Sequence, residues 1–141
     1  QKKAEKTRDK LTRKLAVIEL KSALENTQQV GDVNLLTRIL EDADLDTLRM
    51  VADRFRQQVP ERGIIVLATV IDGSPRLVAA VTEDLIKEGI MAGDLIKIAA
   101  NEVGGGGGGR PGLAEAGGKD PDKLQNALDV VPTWIESKLN S

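Results

Sequence analysis

The 141-residue chain contains no cysteine, no histidine and no tyrosine, and its only aromatic residues are Phe55 and Trp134. The lack of cysteine excludes disulfides, thiolate zinc sites and cysteine nucleophiles. The lack of histidine removes the side chain that most often serves as a general base or a metal ligand. Catalysis would have to rest on carboxylates, lysine, arginine, serine or threonine. We therefore expect a fragment that is not an enzyme and that holds no cofactor and no metal.

The sequence also lacks long apolar runs. None approaches the ~20 residues of a membrane-spanning helix, and the first residues, Gln1-Lys2-Lys3, lack the apolar segment of a signal peptide. We expect no membrane contact and a cytoplasmic location. Because the chain begins at Gln1 rather than at a methionine, we expect it to be part of a longer protein.

Positive charge is scarce in most of the chain. Residues 1–30 hold 8 Lys/Arg against 4 Asp/Glu, a net of +4, whereas residues 31–141 hold 12 against 18, a net of −6. A protein that coats a nucleic-acid duplex usually has a basic body, so any such contact has to be local here. Because single-stranded bases are usually read by aromatic platforms, we expect RNA to be bound through its shape, backbone and 2′-hydroxyl groups.

Glycine is abundant in one place. Nine of the 14 glycines fall between positions 104 and 118, and Gly104–Gly109 are consecutive. Glycine allows positive φ and brings bare N–H groups close to a partner. No serine interrupts the run and a rigid Arg110-Pro111 step closes it, which is not typical of a flexible tether. We predict an ordered loop whose amides form an anion nest for a polynucleotide backbone, with Arg110 adding a bidentate phosphate contact.

A nucleoside triphosphate is not the predicted ligand of this run. The run follows the end of a predicted helix, where the helix dipole disfavours anions. It also lacks the lysine and the preceding strand of a P-loop. An alternative remains that the glycine-rich loop only closes the fold.

Residues 1–29 are predicted to be a helical arm, because they contain no glycine or proline and are rich in Lys, Glu, Leu and Ala. Leu11, Leu15 and Ile18 keep a near-heptad spacing, which points to dimerisation through this helix. The pattern covers too few heptads to establish a coiled coil. The alternative is a helix that packs on its own domain.

Residues 30–141 are predicted to form one globular α/β domain, a small mixed sheet flanked by helices. The predicted strands are 33–40, 63–71 and 76–81, with a short edge strand at 113–116. The predicted helices are 44–58, 82–87, 91–103 and 121–139, with Pro132 as a break and Trp134 on the buried side.

Arg49 and Arg56 lie seven residues apart on the exposed side of the predicted helix 44–58. Such arginines are most often solvated and paired with acids such as Asp53. The lysines and arginines of the arm are likewise more typical of a solvated face than of a binding one.

The order of segments resembles a known family. Strand GIIVLATV, turn DGSP, strand RLVAAVT, helix AGDLIKIAANEV, the segment GGGGGGRPGLAEAGG and a closing helix with Trp134 are similar to the carboxy-terminal, DHH-associated domain of alanyl-tRNA synthetase. The resemblance covers about residues 30–141. The phosphoesterase branch of the family carries a Gly-Gly-Gly-His motif, and the absence of histidine disfavours that branch.

The resemblance implies that the parent protein is an alanine–tRNA ligase. This fragment would grip tRNA, the alanine tRNA above all, near its elbow, would help to join charging to editing, and would dimerise through its helix. The residues that match the family motif, and that are assigned to nucleic-acid binding on that basis, are Gly104, Gly105, Gly106, Gly107, Gly108, Gly109, Arg110, Pro111, Gly117 and Gly118.

Two positions depart from the family pattern. Gly106 stands where a lysine or another polar residue often interrupts the glycines, and Gly112 stands where an aspartate often follows the proline. The missing lysine predicts weak, salt-sensitive binding. The competing interpretation is a structural protein–protein interaction module.

Overall fold

The apolar run Gly63–Ile71 and the segment Ser74–Val81 are the two central strands of a six-stranded sheet. Every residue from Gly63 to Thr69 is buried, as expected for a strand that is covered on both faces. The turn between the two strands places Asp72 and Gly73 at positive φ, and the strands pair antiparallel. This is the hairpin that the Asp-Gly pair predicts.

The structure, a computed structural model, describes residues 14–15, 18–25, 27–41 and 43–140. The helices are α1 (14–15 and 18–24), α2 (Leu45–Gln58), α3 (Glu83–Lys87), α4 (Ala92–Glu102) and α5 (Leu124–Leu139), the last preceded by a 3-10 turn at Pro121–Lys123. The strands are β1 (Gln28–Val30), β2 (Val33–Ile39), β3 (Gly63–Ile71), β4 (Ser74–Val81), β5 (Gly106–Gly109) and β6 (Leu113–Gly117).

The sheet has the strand order β1-β2-β3-β4-β6-β5. Strands β2 and β3 are parallel, and the other neighbours are antiparallel. Helices α4 and α5 contribute to the buried cluster on one face, and α1 and α2 to the cluster on the other. Along β3, Ile64 and Val66 face the first cluster, and Ile65 and Leu67 face the second. The predicted mixed α/β fold with flanking helices is confirmed.

The predicted arm differs from the structure at its carboxyl end. Helix α1 ends at residue 24, and Gln28–Val30 forms an edge strand that pairs with β2. Gly31, at φ 63°, is the first residue of a two-residue turn between the paired Val30 and Val33, rather than a helix stop. Residues 1–13, 16–17 and 26 of the predicted arm lie outside the described residues.

The described part of α1 agrees with the alternative in which the helix packs on its own domain. Leu20 and Ala23 are buried in the cluster on the α2 side of the sheet. Leu15 and Ile18 are 60% and 63% exposed and point away from that cluster. The division into an arm at 1–29 and a domain at 30–141 stays a prediction.

Three predictions for the carboxyl-terminal third were wrong. The segment Leu113–Gly117 is not an edge strand, because it lies between β4 and β5. Gly106–Gly109 is not a loop, because it is itself the outermost strand. Pro132 does not break the last helix, which continues to Leu139.

Trp134 is only partly buried. It packs against the α4–α5 side of the core, and the ammonium group of Lys138 lies 5.6 Å from the centre of its ring. Among the helices of the described ranges, none combines the length and apolar character needed to cross a membrane.

Candidate nucleic-acid interface

The end of α4 determines how the glycine run enters the sheet. Gly104 follows the helix at φ 68°, the left-handed conformation in which glycine commonly ends helices. Its N–H group donates to the Asn101 carbonyl at 3.3 Å, and the Gly105 N–H group donates to the Ala100 carbonyl at 3.0 Å. The first two amides of the run are therefore used within the chain.

Alternate glycines of the run press against β6. A β-carbon built on Gly107 would lie 2.5 Å from the Ala116 Cα, and one on Gly109 would lie 2.8 Å from the Ala114 Cα. One on Gly105 would meet backbone of β6 in the same way. Contacts below 3.0 Å are too short for carbon atoms that are not bonded. Only glycine allows these three positions to approach β6 so closely.

The intervening glycines face the other way. A β-carbon on Gly106 would have no neighbour within 4 Å, and one on Gly108 would meet only the Lys97 Cε at 3.9 Å. This alternation is the period of two that a strand imposes on its side chains. The run therefore has one packed side and one bare side.

The predicted anion nest is wrong, for a physical reason. A nest needs successive amides that converge on one point in a turn-like backbone, whereas Gly106–Gly109 is an extended strand paired with β6. The assignment of these glycines to nucleic-acid binding is a separate matter and stays a prediction.

The Arg-Pro-Gly step forms the hairpin between β5 and β6. The Arg110 N–H group donates to the Leu113 carbonyl at 3.0 Å. The Pro111 carbonyl accepts from the Ala92 N–H group at 2.8 Å, and the Gly112 carbonyl accepts from the Val81 N–H group at 3.1 Å. The hairpin is thus anchored to α4 and to β4, while Arg110 is exposed.

Arg49 and Arg56 of α2 both reach the segment from Gly112 to Gly117. Arg49 donates two hydrogen bonds to the Glu115 carboxylate, one of them at 2.8 Å. Arg56 donates to the Gly112 carbonyl at 3.3 Å and to Asp53 at 2.9 Å. The expected pairing of Arg56 with Asp53 is present. The contacts with Gly112 and Glu115 have no signal in the sequence, because they join residues more than 50 positions apart.

The Arg49–Glu115 pair changes the titration of both groups. The hydrogen bonds from Arg49 lower the pKa of Glu115, outweighing the effect of burial. The same bonds raise the pKa of Arg49. Glu115 is therefore held as a carboxylate on the α2 side of β6, and Arg49 is not free to bind a phosphate.

An open groove of about 850 Å³ lies between the hairpin and helices α2 and α3. Its charged lining consists of Arg56 and Arg110 against Asp53, Glu83 and Glu115. Acids outnumber bases in this groove. A polyanion therefore gains no net attraction there.

A second ionic cluster was missed in the sequence. Arg62, at φ 52°, forms ion pairs with Asp32, Asp84 and Glu88, and its N–H group donates to the Asp84 carboxylate. The hydrogen bond from Arg62 lowers the pKa of Asp32. These contacts join β3 to the turn before β2 and to α3, so the cluster has a structural role.

The remaining predicted site residues, Gly117 and Gly118, lie at the carboxyl end of β6, beside the start of β5. Gly117 pairs with Gly106 of β5 on one side and with Arg76 of β4 on the other. Gly118 is held against α4, since its added β-carbon would lie 2.5 Å from the Val103 Cγ2. The structure thus brings together two glycine segments that are separated in sequence by the seven residues 110–116. Across the described ranges there is no group of three or more acidic side chains positioned to hold a metal ion.

Comparison with known proteins places this arrangement in a family. Residues 32–137 match the DHHA1 domain. The chain belongs to the DHHA1 domain family. The match includes the whole sheet from β2 onward, both glycine segments and nearly all of α5, so it covers the candidate interface in full.

The resemblance to the carboxy-terminal domain of alanyl-tRNA synthetase is confirmed by a solved relative. The DHHA1 domain is similar to the C-Ala domain of the Aquifex aeolicus alanyl-tRNA synthetase, with a TM-score of 0.72 and 29% sequence identity over 79% of this chain and 98% of that one. A protein described as a member of the s1p family of ribosomal proteins with a DHH domain has a TM-score of 0.55 at 15% identity. At that identity the similarity shows the fold alone.

Curated relatives of the chain are alanine–tRNA ligases. Those of Halalkalibacterium halodurans and Geobacillus kaustophilus are 43% and 42% identical over 92% and 96% of this chain. The Bacillus subtilis ligase is 39% identical over 98% of it. The chain spans only 15–16% of the length of these relatives.

Proposed function

We propose that this DHHA1 domain is the tRNA-binding carboxy-terminal module of an alanine–tRNA ligase and that it supports aminoacylation and editing without catalysing either. The observation that carries the proposal is the similarity to the C-Ala domain over 98% of that domain's length. The curated relatives are alanine–tRNA ligases, and alanine tRNA is the partner that we propose.

The proposed mechanism is placement. A module that grips the body of the tRNA near its elbow keeps the acceptor end close to active sites elsewhere in the parent protein. Holding a reactant near its site replaces a bimolecular encounter by an intramolecular one. The module therefore acts on the local concentration of the tRNA end and needs no reactive group of its own.

Arg110 is the predicted site residue that best suits a phosphate contact. It is exposed at the tip of the β5–β6 hairpin, and an arginine fork binds phosphate in a bidentate manner. Because few cations accompany it in the groove, we expect weak, salt-sensitive binding.

A gel-shift assay tests this proposal with alanine tRNA and a second tRNA at two salt concentrations. We expect Arg110→Ala to weaken binding of both tRNAs by about 3–10-fold and to reduce the salt slope by about 1. The matched control is Arg54→Ala, which removes an exposed arginine from α2. No binding by the unaltered chain at low salt contradicts the proposed function.

Dimerisation through the helical arm is the second part of the proposal. Leu15 and Ile18 are three residues apart, on one face of a helix, and both are more than half exposed. Leu20 and Ala23 are already buried against the sheet, so the exposed pair is available for a second copy. Leu11, the third residue of the predicted interface, lies outside the described residues.

Sedimentation of the double variant Leu15→Glu/Ile18→Glu tests this part. Substitution is preferable to deletion of the arm, because deletion would uncover the core beneath Leu20 and Ala23. We expect the variant to be monomeric, and the control Lys21→Glu, exposed on the same helix, to behave as the unaltered chain. A chain that is monomeric without any substitution contradicts the dimer.

The competing function is a structural interaction module whose glycine segment only closes the fold. A specific observation favours it, namely the packing of Gly105, Gly107 and Gly109 against β6, which explains these three glycines without RNA. It leaves Gly106 and Gly108 unexplained, because both have room for a side chain. If this alternative is right, the arm variant loses the dimer and the unaltered chain binds no tRNA at low salt.

A further inference from the structure

The bare side of β5 continues across the neighbouring strands. Gly106 lies opposite Gly117 of β6, and Gly117 lies opposite Arg76 of β4. In antiparallel pairs, residues directly opposite each other project to the same face. The edge of the sheet therefore presents two glycines side by side, followed by an arginine, and an extended chain can approach its backbone closely there.

Two cations border this surface at its centre. The Arg76 Nη1 lies 3.2 Å from the β-carbon position of Gly117, and the Lys97 Cε lies 3.9 Å from that of Gly108. Arg76 projects from the sheet and Lys97 from α4, and both side chains belong to exposed residues. Among the described residues neither takes part in an ion pair.

A third cation lies at the start of the glycine run. The Lys119 Cβ is 4.0 Å from the β-carbon position of Gly104, and the neighbouring Asp120 approaches the same position. The nearby Glu115 is already bound by Arg49. The surface thus carries three cations against one acid that is not engaged by an arginine.

The groove borders the β5 surface at Gly108, but the two differ in charge. The Arg49–Glu115 ion pair is left out of both counts. The groove then has Arg56 and Arg110 against Asp53 and Glu83, a net charge of 0, whereas the surface defined by Arg76, Lys97, Lys119 and Asp120 has a net charge of +2. Opposite charges at about 4 Å attract by about 1 kcal/mol in bulk water and by more near a protein surface. A polyanion is therefore attracted more strongly to the β5 surface than to the groove.

We propose that Arg76, Lys97 and Lys119 hold the sugar-phosphate backbone of RNA against the bare glycine surface of β5. The proposal rests on the proposed function and adds the contact residues that the glycine motif alone does not supply. Glycine has no side chain to keep a backbone away, and the three cations neutralise the phosphates along its path. Contacts of this kind position RNA without reading its sequence.

The test compares two triple variants of the full chain that have the same change in charge. The first is Arg76→Gln/Lys97→Gln/Lys119→Gln. The control, Arg54→Gln/Lys21→Gln/Lys87→Gln, also removes one arginine and two lysines from exposed positions, but on α1, α2 and α3. Binding of alanine tRNA is measured as a function of salt, and thermal unfolding followed by circular dichroism checks that both variants are folded.

We expect the first variant to bind at least 10-fold more weakly at low salt and to lose about 2–3 from the salt slope, about 1 per phosphate contact, while the control loses little. Equal losses in the two variants would mean that total charge matters and this surface does not, which overturns the inference and leaves the proposed function standing. No binding by the unaltered chain overturns both. If polyglutamate competes as well as tRNA of equal charge, the surface is an acidic-protein site and the assignment to RNA is wrong.

Discussion

Gly107 and Ala116 lie so close across the β5–β6 pair that a β-carbon on Gly107 would be 2.5 Å from the Ala116 Cα. Gly106, the preceding residue, has no neighbour within 4 Å of its β-carbon position. Gly106 and Gly107 thus have opposite steric surroundings, although both are glycine. The glycine run consists of two interleaved sets, one required by packing and one free of it.

This difference predicts opposite effects of the same substitution. We expect Gly107→Ala to destabilise the fold by about 3 kcal/mol, because the added methyl group meets backbone that cannot move without disrupting β6. Gly106→Ala should change the free energy of unfolding by less than about 0.5 kcal/mol. Urea unfolding followed by circular dichroism measures both. Similar stabilities for the two variants would mean that the strand is not packed in this way.

The elements of the body could be predicted from local patterns, and the contacts of the glycine segment could not. The buried run of β3 and the capping residue Asp44, which accepts from the Thr47 N–H group at 2.7 Å, are local signals that the sequence carries. That Gly106–Gly109 is a strand depends on β6 as a partner, and glycine has no strand preference of its own. The residues Arg76 and Lys97 reach the run only through sheet order and helix packing.

At Gly31 a local signal led to a wrong prediction, because the helical pattern before it concealed a short strand and a turn. A glycine after a helical pattern usually marks a helix end, and the same residue at positive φ also forms the two-residue hairpin that pairs β1 with β2. The strand β1 is only three residues long, so its own pattern is too short to compete with the helical signal before it.

The Arg49–Glu115 pair predicts a dependence of stability on pH. Arg49 lowers the pKa of Glu115 below its ordinary value of 4.5, so the folded state binds this proton less readily than the unfolded state. The resulting stability is fully present above pH 4.5 and is lost as pH falls through the lower pKa of the folded state. Both side chains are about one-third exposed or more, so we expect a small effect.

Unfolding midpoints in urea between pH 3 and pH 7 measure this effect. We expect Glu115→Gln to lower the midpoint at pH 7 and to have less effect near the acid end, so that the two profiles converge. Glu102→Gln, exposed on α4, is the control and should run parallel to the unaltered chain. A constant difference between Glu115→Gln and the unaltered chain at every pH would show that the pair contributes through packing alone.

The position of Gly112 beside Arg56 predicts that a negative charge at residue 112 stabilises the fold. A β-carbon at this position would lie 2.8 Å from the Arg56 Nη1, the end of a side chain that can adjust. We expect Gly112→Asp to pair with Arg56 and to stabilise the fold by about 0.5 kcal/mol. The gain should disappear in Arg56→Gln, which a double-mutant cycle measures. Gly112→Asn is the uncharged control, and an equal gain from it would rule out the ion pair.

The hydrogen bonds of Thr82 predict that the fold beside α3 can be destabilised without a change in tRNA affinity. Its hydroxyl accepts from the Gly63 N–H group at 3.1 Å and donates to the Asp84 carboxylate at 2.7 Å, and the residue is 2% exposed. Thr82→Val keeps the shape and leaves the Gly63 donor without its side-chain partner, which costs about 1–3 kcal/mol. Thr82→Ser keeps the hydroxyl, and we expect it to restore most of this loss.

If the β5 surface holds the RNA, Thr82→Val should lower the unfolding midpoint and leave tRNA affinity unchanged at temperatures where the domain is folded. A parallel loss of affinity would instead place the RNA in the groove beside α3.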